Sequence, residues 1–117
     1  MTENLFLVKR RVPRFSFVAE AEVISVRDGK RVMASISELS SKGCFLETPE
    51  ELPEGAQLLL LIRFGESQCD VTGKAIYNYE NSGMGVVFDE LAAEQRSILD
   101  EWLAQLARVV HGGSWVH

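Results

Sequence analysis

Cysteine, histidine, proline and long apolar runs are all scarce in this chain, and each shortage excludes something. Its 117 residues hold two cysteines, Cys44 and Cys69. These are too few and too far apart for a disulfide framework or a zinc site, so reduced thiols in a cytoplasmic protein and no bound metal are expected. The two histidines, His111 and His117, lie at the C-terminal end, where no Ser-His-Asp or Cys-His pairing forms. No catalytic residue is therefore expected, and the chain reads as a non-enzyme. The longest uninterrupted apolar run, Leu58 to Ile62, is five residues, against about 20 for a spanning helix, so no membrane insertion is expected. Leu5, Phe6, Leu7 and Val8 precede basic residues, the reverse of a secretory signal. A Gly-rich phosphate loop is also missing: Gly83-Met84-Gly85 lacks the surrounding pattern and reads as a tight strand start.

What is present suits one ordinary globular domain. The hydrophobic fraction of 46% and charged fraction of 25% are those of a soluble fold, and the length suffices for one core without staples. The net charge of −5 is unevenly spread. Lys9, Arg10, Arg11 and Arg14 face only Glu3 within the first 14 residues, while the remainder holds 8 basic and 16 acidic side chains. A body that acidic repels a long polyanion, whereas one knot of positive charge suits a compact anion. DNA and RNA are disfavoured as partners.

Along the chain, residues 1–14 contain Pro13 and no sustained period, which predicts a flexible arginine-rich arm. Residues 15–117 carry the folded domain. Phe15, Phe17, Ala19, Ala21 and Val23 alternate with mostly polar neighbours, then the phase shifts to Ile24 and Val26, which predicts a bulge. Asp28-Gly29 predicts a two-residue hairpin. Val32, Ala34 and Ile36 point inward on the next strand, and a short strand follows through Cys44, Phe45 and Leu46. Leu58 to Phe64 is apolar on both faces apart from Arg63, so its outer face needs a cover. Cys69 to Tyr79 and Gly83 to Phe88 complete the strands. The period then becomes helical over about 90–111, with Ile98, Leu99, Trp102, Leu103, Leu106 and Val110 on one face. Asp89 is the expected N-cap and the helix the expected cover for the two-faced strand. The architecture is all-β with a C-terminal helix: five or six antiparallel strands closing into a barrel.

Two clusters remain. Arg10-Arg11-Val12-Pro13-Arg14 gives an RxxxR spacing just before the first strand, and Glu38-Leu39-Ser40-Ser41-Lys42-Gly43 follows one hairpin later. Their order resembles the PilZ domain, whose signature is RxxxR followed by (Asp/Asn)-x-Ser-x-x-Gly. Gly83-Met84-Gly85-Val86-Val87-Phe88 before a helix is similar to that family's closing strand. The resemblance implies a six-stranded barrel, cyclic di-GMP as ligand, and no enzymatic activity. It places Arg10, Arg11, Arg14, Glu38, Ser40 and Gly43 at the ligand. The chemistry agrees: the arginine fork matches phosphate oxygens and the O6/N7 edge of guanine, and its plane stacks on a base. A carboxylate accepts from guanine N–H donors, Ser40 offers a hydroxyl, and Gly43 permits positive φ or close approach.

The chain departs from the signature at Glu38, where Asp or Asn is expected, so its carboxylate stands one methylene further out. Two functions follow. The first is a second-messenger receptor that switches an unidentified protein partner when nucleotide orders the arm. The alternative is a PilZ-like adaptor that has lost the nucleotide and works by protein contacts alone.

Overall fold

The computed structural model describes residues 15–49, 52–79 and 83–111. Six strands and one helix follow in order: β1 (Phe15–Ser25), β2 (Arg31–Leu39), β3 (Gly43–Glu47), β4 (Gln57–Phe64), β5 (Ser67–Tyr79), β6 (Gly83–Phe88) and α1 (Ala93–His111). Every neighbouring pair is antiparallel and the sheet closes in the order β1-β2-β3-β6-β5-β4. The expected six-stranded barrel with a C-terminal helix is what the chain forms.

Period-two patterning explains the closure. Phe17, Ala19, Ala21 and Val23 on β1, Val32, Ala34 and Ile36 on β2, and Leu58, Leu60 and Ile62 on β4 are all buried in one core. Alternate positions face outward, as the pleat requires. Alanines stand among the large residues because so narrow a barrel has little interior to fill. A closed sheet also leaves no long edge for another chain to extend.

Four local expectations are corrected. The β1–β2 connection is a five-residue loop, Val26 to Lys30: Ser25 N–H donates to the Lys30 carbonyl at 2.8 Å and Gly29 N–H to the Ser25 carbonyl at 2.7 Å. Gly29 takes φ 75°, so the glycine serves a left-handed position in a longer loop than the dipeptide suggested. The phase shift at Ile24 and Val26 is not a bulge, because β1 ends at Ser25. The register of β1 against β2 shifts instead between Ser16 and Ala19. The helix begins at Ala93, and Asp89 is not its cap. Asp89 Oδ2 accepts from Gln57 Nε2 at 2.6 Å and Thr72 Oγ1 at 2.8 Å, pinning the segment before the helix to β4 and β5.

The fourth correction concerns what the helix covers. β6 pairs with β5 from Gly73 onward, which leaves the start of β5 without a strand on that side. Helix α1 occupies the gap: Gln95 Oε1 accepts the Asp70 N–H at 2.7 Å. Leu99 and Trp102 are buried beneath it. Trp102 lies 5.8 Å from Phe17 and 5.6 Å from Phe64, while Phe17 and Phe64 are 4.7 Å apart, all as ring centroids. The helix thus seals one end of the barrel against β5 and β1, and Leu59 and Leu61 on the outer side of β4 stay half-buried.

Gly83 is the tightest backbone contact. It has φ 121°, and a Cβ there would overlap the Leu46 carbonyl oxygen of β3. Backbone cannot yield as a flexible side chain can. Gly83→Ala is therefore expected to lower stability by about 3 kcal/mol or more, read as a lowered urea midpoint, while Gly29→Ala, with open space around it, costs about 1 kcal/mol. Equal midpoints for the two variants would contradict this close approach.

Candidate functional site

The Glu38–Gly43 segment is the turn between β2 and β3. Ser40 is the buried polar side chain among the described residues, 2% exposed. Its Oγ accepts the Lys42 N–H at 3.1 Å and the Gly43 N–H at 3.2 Å, and stands 3.3 Å from the Gly43 carbonyl, to which the hydroxyl donates. Ser40 N–H donates to that same carbonyl at 2.9 Å. One hydroxyl thus replaces the solvent that two backbone donors would otherwise need. Its hydrogen-bonding capacity is spent inside the turn.

The outer carbonyls are tied as well. Lys42 O accepts the Phe88 N–H at 2.8 Å, and Ser41 O accepts Arg96 Nη1 from the helix at 3.4 Å. Arg96 also meets Asp100 one turn on, at 3.5 Å. Gly43 opens β3 in strand conformation; the left-handed glycines among the described residues are Gly29, Gly55, Gly65 and Gly83. Gly43 is buried and does not take positive φ.

Glu38 stands at a corner built by two register shifts. β2 slips against β3 between Ile36 and Glu38, and β1 slips against β2 between Ser16 and Ala19. Ile36 and Leu39 both point inward as a result, with Ser37 and Glu38 half-buried between them. Paired shifts of this kind bend the strands and re-aim side chains. The Cα partners of Glu38 are Ser16 on β1 and Phe45 on β3.

Phe15 pairs with Leu39, the residue before Ser40, so β1 begins beside the turn. Arg10, Arg11 and Arg14 themselves lie outside the described residues. Sequence reasoning missed two neighbours of the turn. Val18, 87% exposed on β1, is an apolar side chain in solvent inside the β1 register shift. Arg96 bonds the turn from 55 positions away, and no local pattern signals that.

The PilZ domain family model matches residues 9–105, most of the chain. The chain belongs to the PilZ domain family. Among solved structures it is similar to the PilZ domain of YcgR from Escherichia coli, determined with c-di-GMP, at 18% identity and TM-score 0.68, covering 91% of this chain and 97% of that one. It is also similar to the PilZ domain of CeSA from a cellulose-synthesizing bacterium, at 15% identity and TM-score 0.61, with 86% and 96% covered. MrkH, described as a c-di-GMP-dependent transcription regulatory factor, matches at 18% identity and TM-score 0.67 over 84% of this chain and 51% of its own. No curated protein matches.

On this PilZ frame the described residues include no cluster of three or more His, Cys, Asp or Glu placed to hold a metal ion. No described helix is long and apolar enough to cross a membrane. The cysteines are buried and unbridged. Burial pushes the Cys44 thiol far above its ordinary value. Burial and the Asp70 carboxylate raise Cys69 to about 11, against a smaller opposing pull from Arg96. Neither is a nucleophile at neutral pH.

These shifts give a signed pH dependence. In the unfolded chain a thiol ionises near about 8.5, while the folded protein keeps both protonated. Above about pH 9 the unfolded state binds fewer protons, so stability falls as pH rises. Urea midpoints measured from pH 8 to pH 10.5 should decline, and less steeply in Cys44→Ala. Parallel slopes in the two proteins would show that Cys44 ionises alike in both states.

Proposed function

We propose that this PilZ domain is a cyclic di-GMP receptor, not an enzyme, that acts in the cytoplasm by switching a protein partner. The observation that supports it most is the Glu38–Gly43 turn, locked to barrel and helix and joined through the Phe15–Leu39 pair to an arm carrying Arg10, Arg11 and Arg14. The YcgR domain with a similar fold was determined with this nucleotide.

In this reading Arg10 and Arg14 take phosphate oxygens and guanine edges, with Arg11 assisting. Glu38 accepts from guanine N–H groups at the corner between β1 and β3. Ser40 acts by holding the turn, and Gly43 by keeping a side chain away from it. Val18 offers an apolar platform beside Glu38 for one face of a base. Charged hydrogen bonds contribute about 1.5–3 kcal/mol each, and ordering each arm residue costs about 1–2 kcal/mol. A few contacts set against about five ordered residues leave a modest surplus, so each contact matters, about 1.4 kcal/mol being tenfold in affinity. Glu38, longer than the family's Asp or Asn, favours the second reading, an adaptor without nucleotide.

Calorimetric titration with cyclic di-GMP, with GMP as control, separates the two. The receptor binds the cyclic dinucleotide. Arg10→Ala or Arg14→Ala greatly weakens that binding without moving the melting temperature of the free protein. Glu38→Ala weakens it by about 1–3 kcal/mol, and Glu38→Asp tightens it. A flat titration of the wild type leaves the adaptor. Wild-type affinity in either arginine variant removes that residue from the site.

The switch is an ordering of the arm on an unaltered barrel. Amide exchange with added nucleotide should slow from Lys9 to Phe17 and from Glu38 to Gly43, with much smaller changes in α1. An arm already protected without nucleotide, or a response confined to the helix, would refute this mechanism even where the nucleotide binds.

A further inference from the structure

Strand β4 is apolar on both faces apart from Arg63, and Leu59 and Leu61 on its outer side are half-buried. The face they share spans β2, β1 and β4. Register places Ile24 beside Arg31 and Leu59, Glu22 beside Met33 and Leu61, and Glu20 beside Ser35 and Arg63. Met33 is 58% exposed and Val26, at the end of β1, 56%. A shallow cleft of about 220 Å³ opens there between Glu20, Glu22, Met33, Leu61, Arg63 and Gln68.

We infer that this face docks a second copy of the chain about a two-fold axis. Charge decides the occupant. Two copies with net charge −5 repel through most of their surfaces. Across the rows of this face, however, Glu20 and Glu22 are matched by Arg31 and Arg63, and Glu22 and Arg31 already pair at 2.6 Å. An isologous contact sets a patch against itself, so it needs both signs in balance around an apolar centre. Met33, Leu61, Leu59 and Ile24 supply that centre. A strongly charged partner of either sign finds no net attraction here.

Size sets the strength. Strand spacing and rise make the patch about 15 Å across the three strands and about 20 Å along them. Two such patches bury on the order of 600 Å², below the size of a stable interface, so the dimer is weak and concentration-dependent. It does not require nucleotide and stands apart from the receptor reading.

Sedimentation equilibrium of the full chain without nucleotide, from about 10 μM to about 1 mM, tests it. The mass should climb from 13.1 kDa toward twice that value. Leu61→Lys and Met33→Lys should stay monomeric with unchanged melting temperatures, while Arg108→Glu on the exposed side of the helix still dimerises. A wild type monomeric throughout overturns the inference, as does a dimer that survives both lysine variants. A fall in melting temperature for both lysine variants in the monomer range overturns it too, since the chain's own residues would then cover the face.

Discussion

The packing of Phe17 against Phe64 and Trp102 is the constraint on which the rest of this PilZ domain depends. It joins the start of β1, the end of β4 and the middle of α1 at ring separations of 4.7–5.8 Å. Truncating a buried aromatic of this kind costs about 3–5 kcal/mol, a large share of what a small domain has. Its position matters more than its magnitude. With Phe17 held, Ser16 sits opposite Glu38 and Phe15 opposite Leu39. The start of β1 is thereby fixed beside the β2–β3 turn. The helix, held through Trp102, presents Arg96 to the Ser41 carbonyl on the same side.

The turn itself shows how a short motif divides its labour. Ser40 looks like a ligand group in sequence, yet its hydroxyl serves Lys42 and Gly43. Burying those two N–H groups without a partner would cost about 1–3 kcal/mol each. The motif's serine is thus explained by the fold alone. Glu38 stands half-buried at the corner where two register shifts meet.

The architecture was legible because period-two burial is written directly into the sequence. Val32, Ala34 and Ile36 alternate without exception, and Leu99 and Trp102 mark the buried face of the helix. What was not legible depended on partners distant in sequence. Asp89 reads as a cap because Asp before a helix usually is one. It became a bridge because Gln57 and Thr72 come to it from β4 and β5. The helix was read as the cover of the two-faced β4, yet it meets that strand at Phe64 and packs chiefly against β5 and β1, because the incomplete β5–β6 ladder claims it first. Of the site, the Glu38–Gly43 turn could be placed, Val18 and Arg96 could not be foreseen, and the arginines fall outside the described residues.

The distribution of charge links the two surfaces of the molecule. An acidic body lowers the local concentration of any anion, so a nucleotide must be drawn by a group of opposite sign that stands clear of that body. Four cations concentrated in residues 9–14 carry that opposite sign, and the pull of an exposed charge reaches about a Debye length, roughly 8 Å at physiological salt. The same acidity keeps copies of the protein apart except where it is locally cancelled. Glu20, Glu22, Arg31 and Arg63 cancel it on the outer face of β1, β2 and β4. β1 therefore belongs to both surfaces: Ser16 and Val18 to the corner with Glu38, and Glu20 to Ile24 to the balanced face. The slip between Ser16 and Ala19 separates these stretches, so side chains on either side answer to different neighbours. A ligand engaging the first stretch need not disturb the second.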